Sequence, residues 1–137
     1  MKKVVIESPF AASTVVVDEL MKKYTYLAPW RAEQIARGRN MEYLQACMRD
    51  SLLRGEAPYA SHAMYTQPGV LDDTIPEERE HSIQAGFAWR DSSDATVVYT
   101  DLGVSRGMEY GVEHATKTGH PVEYRSLGET WQKTPQG

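Results

Sequence analysis

Residues 105–115, SRGMEYGVEHA, bring together the residue types that hold an anion or a ribose. Ser105 can cap a helix with its hydroxyl, which leaves the backbone amides of Gly107 and Met108 pointing toward a phosphate or carboxylate. Arg106 adds a planar fork of donors beside them. Gly103 and Gly107 let the backbone approach a ligand, yet no G-x-G-x-x-G and no Gly-Lys-Ser/Thr is present, so nucleotide cofactors of those two classes are disfavoured. Just upstream, Asp101 ends an apolar run where a carboxylate can orient sugar hydroxyls, or simply close a turn. Glu109 and Glu113 stand four apart on one helical face and are the alternative acid, base or nucleophile, set against the plainer role of solvated helix residues.

Other segments add to this set. Ser8, Pro9 and Phe10 follow the first apolar run, and His62 follows the second beside Ser61. Asn40 and Tyr43, on a long helical stretch, complete the expected ligand-binding residues. Phe10, Tyr59, Tyr65 and Trp89 are candidates for stacking on a planar base, with Phe10 and one tyrosine favoured. His81, His114 and His120 lack mutual ligand spacing and Cys47 is alone, so no metal site is expected. Cys47 reads as a small buried hydrophobe in a reducing compartment.

Positioning these residues is a task for one compact α/β domain over residues 1–137, which 41% hydrophobic content can support. The net charge of −4 argues against binding a nucleic-acid polymer or an anionic membrane. MKKVVIES is too short in apolar residues for a signal peptide or a span, so a cytoplasmic protein is expected.

Residues 3–8 read as a β-branched strand ended by Pro9, and residues 31–54 as helix, with Gly38 offering a point of division into two. A strand near 57–61 precedes a loop through Pro68 and Gly69. Thr74 is placed to cap the next helix, with Pro76 in its first turn. Residues 95–99 are the clearest strand, apolar enough for burial on both faces of a parallel sheet. The segment from Ser105 forms a helix closed by Gly119; a last strand follows, and residues 133–137 read as a frayed tail. This alternation predicts a three-layer, Rossmann-like or flavodoxin-like parallel sheet of four to five strands flanked by helices. Residues 11–30 form an insert too long for an ordinary connection, expected to be an extra element and oligomer contact, or else a lid.

The order and spacing of VVIESPF, SDATVVYTD and GVSRGMEYGVEHATKTGHPVEY resemble the nucleoside 2-deoxyribosyltransferases and related N-glycoside hydrolases, including small phage and bacterial relatives. In that family the helix carries a nucleophilic glutamate near S-x-G-x-x-Y-E-x-G-x-A, and Ser105, Gly107, Tyr110 and Ala115 align so that Gly111 falls at the nucleophile. Glu109 and Glu113, two residues away, are rotated from that position by about 200°. The resemblance therefore implies a non-catalytic binder of a nucleoside, nucleotide or ADP-ribose-like molecule, with anti-defence sequestration of a host immune nucleotide by a phage protein as one use. The alternative it implies is an N-glycosidase or 2-deoxyribosyltransferase working through Glu109 or Glu113, with Asp101 orienting the sugar. Homo-oligomers are expected on the same ground.

Overall fold

The computed structural model describes residues 1–129 and residue 131. The expected tail at 133–137 lies outside the described residues.

Among the described residues four strands build the sheet: β1 (Lys2–Glu7), β2 (Glu56–Tyr59), β3 (Ala95–Tyr99) and β4 (Val122–Arg125). All pair in parallel, in the order β2-β1-β3-β4. β3 is buried along its whole length, as its unbroken apolar run requires of a strand covered on both faces. Along β1 the two-residue period sorts the side chains. Val4 and Ile6 join the core with Tyr43, Leu44, Cys47 and Tyr99, while Val5 and Glu7 point to the opposite face.

Among the described residues five helices flank the sheet: α1 (Thr14–Lys23), α2 (Pro29–Leu53), α3 (Ser61–Met64), α4 (Pro76–Asp91) and α5 (Arg106–Lys117). Right-handed crossovers place α2 on one face and α4 and α5 on the other, giving the three-layer architecture.

Two local expectations are corrected. α2 runs unbroken through Gly38 for 25 residues. A single helical glycine costs about 1 kcal/mol, and the buried stripe of Ala32, Ala36, Tyr43, Leu44 and Cys47 outweighs it. Nor does Thr74 cap α4; Ile75 holds the cap position without a side-chain bond, and the Thr74 hydroxyl donates to Asp72 Oδ1 at 2.6 Å. The insert forms α1, which packs on α2 and buries none of its own residues.

β1 connects outward to β2, whereas β3 lies on its other side. The chain thus parts in opposite directions beyond the carboxyl ends of β1 and β3, the place where parallel sheets open a crevice.

Candidate functional site

A cleft of about 340 Å³ opens at that point. β1 and its following loop contribute Glu7, Ser8 and Phe10, α3 contributes Ser61 and His62, and α4 contributes Ser82 and Ile83. The start of α5 closes it with Ser105, Arg106, Gly107 and Met108, joined by Tyr110. A recess of about 80 Å³ continues from Glu7, Ser61 and Tyr110 inward to Arg90 and Gly111. A wider hollow of about 510 Å³ adjoins the cleft along Phe10, Ala11, Thr66 and Asp73, bounded mainly by the 66–74 loop and Arg37.

At the floor lies a carboxylate that the sequence reading did not single out. Glu7 ends β1 on the face covered by α4 and α5, and its Oε1 accepts from Arg90 Nη2. Arg90 is itself buried, donating also to Thr96 Oγ1 at 3.0 Å and to His114 Nδ1 at 3.1 Å. His114 stacks flat on Phe87 with ring centroids 3.6 Å apart. No described residue bonds Glu7 Oε2. Burial raises the Glu7 carboxyl to about 7, against the pull of the Arg90 charge and hydrogen bond.

The same carboxyl explains the glycine in α5. A Cβ built on Gly111 would stand 2.6 Å from Glu7 Cδ and 2.9 Å from Oε2, and closer still to Oε1. The volume that a side chain at position 111 would enter is already filled by the carboxyl group of Glu7. β1 thus brings a carboxyl to the place where α5 has none.

On the other wall, Ser8 Oγ and His62 Nε2 are 2.8 Å apart, and burial lowers the His62 imidazole to about 4, so it stays neutral. Phe10 meets the His62 ring edge-on at 6.2 Å. Ser105 caps α5 by accepting from the Met108 amide at 3.3 Å, while Met108 Sδ accepts from the Ser105 amide at 3.3 Å. This reciprocal capping takes up the Met108 amide, which had been expected to face a ligand.

Of the expected ligand residues, Ser8, Phe10, His62, Ser105, Arg106, Gly107 and Met108 line the cleft. Pro9, Asn40, Tyr43 and Asp101 do not. Asn40 Nδ2 donates to the carbonyls of Phe10 and Ala11, both at 3.1 Å, so it anchors the loop after β1. Tyr43 is fully buried and donates to Asp101 Oδ2 at 2.5 Å. The Asp101 carboxylate also accepts from Ser126 Oγ and the amides of Leu127 and Gly128 at 2.7–3.0 Å, so it fastens the segment after β4 instead of orienting a sugar.

Glu109 and Glu113 lie outside the cleft, exposed, with Glu113 paired to Lys117 at 2.9 Å. Tyr59, Tyr65 and Trp89 cluster with one another, Tyr59 stacking on Trp89 at 5.2 Å; Tyr110 is the tyrosine at the cleft. Among the described residues no group of His, Cys, Asp and Glu has the arrangement of a metal site, and no helix is long and apolar enough to cross a membrane.

The family described as a domain of unknown function (DUF7768) matches residues 2–125, from the first residue of β1 to the last of β4. The chain belongs to the DUF7768 family. No curated protein and no solved structure matches it. In this DUF7768 member every strand, and every segment that lines the cleft, falls within the matched span.

Proposed function

We propose that this DUF7768 chain binds a nucleoside- or nucleotide-like small molecule in the cleft beyond β1 and β3. The observation carrying this reading is convergence: Ser8 and Phe10, His62, and Ser105 to Gly107 come from three distant stretches of chain and line one cavity. The first turn of α5 and Arg106 suit a phosphate, Phe10 offers a face for a base, and the hydroxyls of Ser8, Ser61 and Ser82 suit a sugar. Its use would be sequestration of a nucleotide signal, as by a phage protein acting on host immunity in the host cytoplasm.

Calorimetry against ADP-ribose, cyclic ADP-ribose isomers, deoxynucleoside monophosphates and cyclic dinucleotides tests it. At least one is expected to bind more tightly than about 100 μM, with Arg106→Ala weakening it; no binding in that range overturns the reading. Self-association belongs to the same proposal, because Tyr26 and Trp30 stand 85% and 68% exposed near the α1–α2 junction. Sedimentation showing a monomer at every concentration would remove that part.

A second reading, cleavage of an N-glycosidic bond, is favoured by one observation, the Glu7 carboxyl at Gly111. It predicts release of free base from a nucleoside or nucleotide by the native chain and none by Glu7→Gln, measured by chromatography of the products.

A further inference from the structure

We infer that positions 7 and 111 act as one unit, in which β1 supplies the carboxylate of the pocket, Gly111 admits it, and Glu7 Oε2 accepts hydroxyls of the bound sugar. This rests on the reading of the cleft as the site of a sugar-containing ligand.

Three observations carry the inference. A side chain at position 111 and the carboxyl of Glu7 claim the same volume, so α5 can pass over β1 at this point with a carboxylate on one element or a side chain on the other. Arg90 takes only one carboxyl oxygen, at Oε1, and no described residue bonds the other. Glu7 also lines both the open cleft and the inner recess, so its carboxyl stands where the two meet.

A structural staple between β1 and α4 would account for the ion pair alone. It would not by itself place the second oxygen at a cavity: Oε2 has no bond to a described residue, is not sealed off from solvent, and Glu7 lines the cleft, so a donor on a ligand can take the place of water there. The chemistry of the missing partner follows. Oε2 can only accept while ionised, and it repels phosphate, so the group meeting it is a donor without negative charge. The hydroxyls of Ser61, Ser82 and Tyr110 on the same walls complete surroundings suited to a polyol. Phosphate is left to Arg106 and the start of α5.

The test uses AMP and its 2′,3′-dideoxy analogue as probes, with calorimetry on the native chain and four variants, and thermal unfolding as a control for folding. Glu7→Gln and Glu7→Ala are expected to weaken AMP at least about tenfold and to change the dideoxy analogue little, because only AMP offers hydroxyls to the lost acceptor. Gly111→Ala, which expels the Glu7 carboxyl from its seat, should weaken AMP to the same degree. The double variant Glu7→Ala with Gly111→Glu returns a carboxylate to the vacated volume from the other element and should recover most of the affinity.

A merely structural role would move unfolding temperatures without separating the two probes. Native binding of AMP unchanged by Glu7→Gln, or a double variant no better than Glu7→Ala, overturns the inference while the cleft reading stands. A native chain that does not bind AMP overturns the inference, and one that also binds no member of the nucleotide panel overturns the cleft reading as well.

Discussion

At the end of β1, burial and ion pairing pull one carboxyl in opposite directions. Burial dominates and places Glu7 at about 7 in spite of Arg90. The other charged or titratable groups nearby are His62 from α3, already neutral, His114 behind Arg90, held below the usual imidazole range by burial, Asp73, raised by burial, and Arg79, Arg106 and Tyr110 along the cleft. At about 7, the Glu7 carboxyl changes its charge near neutrality. If its ionised form accepts the ligand, affinity for AMP should be full above about pH 8 and fall as pH drops through 7, and Glu7→Gln should flatten that profile in calorimetry. Asp101 leads to the opposite expectation. With Tyr43, Ser126, Leu127 and Gly128 all donating to it, Asp101→Ala should cost stability, about 3 kcal/mol in urea unfolding, and leave the affinity of the folded protein nearly unchanged. Its position at a strand end was legible in the sequence; its role was not, because its partners lie 25 to 58 positions away. Glu7 was overlooked for a related reason. A charge closing the apolar run KVVIE, matched by an arginine inside a helix 83 positions later, becomes a signal only once both are known to face each other.

Among the elements, α5 carries the clearest local code. Ser105 caps it, Gly119 leaves it at a positive φ of 72°, and its buried stripe is Met108, Gly111 and Ala115. Ser105→Ala removes the bond to the Met108 amide and should cost about 1 kcal/mol of stability, with weaker binding of phosphate-bearing ligands but not of free nucleosides. β3 was equally plain, since an unbroken apolar run of strand length has little other use in an alternating α/β chain. Capping chemistry was a poorer guide at α4, where Asp72 captured Thr74 before the helix could. Gly38 shows the limit of propensity: a breaker within a long amphipathic stripe yields to the packing of its neighbours.

Over the whole molecule, the opposite edges of the sheet are tied by a second buried pair. Arg125, at the end of β4, donates to both oxygens of Glu56 in β2 at 2.7 and 2.6 Å, with Ser51 adding a third bond at 2.8 Å. These hydrogen bonds, led by those of Arg125, hold the Glu56 carboxyl down at about 2. A carboxyl lowered on folding contributes stability above its ordinary value of 4.5 and loses it as pH falls toward 2. Unfolding free energy should thus drop on the order of 3 kcal/mol across that window, and Glu56→Gln should remove most of the dependence, read from denaturant midpoints at several pH values. The layer order was legible from the alternation of elements, but this clasp joins residues 69 apart and had no local signature.

The shared seat of residues 7 and 111 also constrains descent. Sequences of this family should carry an acidic residue at one of the two sites and a small residue at the other, since two acids there would crowd one buried volume with like charge. A lineage moving the acid between strand and helix must cross either a crowded intermediate or one with no acid at all. If the bound sugar needs one acid, both crossings cost affinity, and an alignment of the family should show few direct exchanges between the two sites.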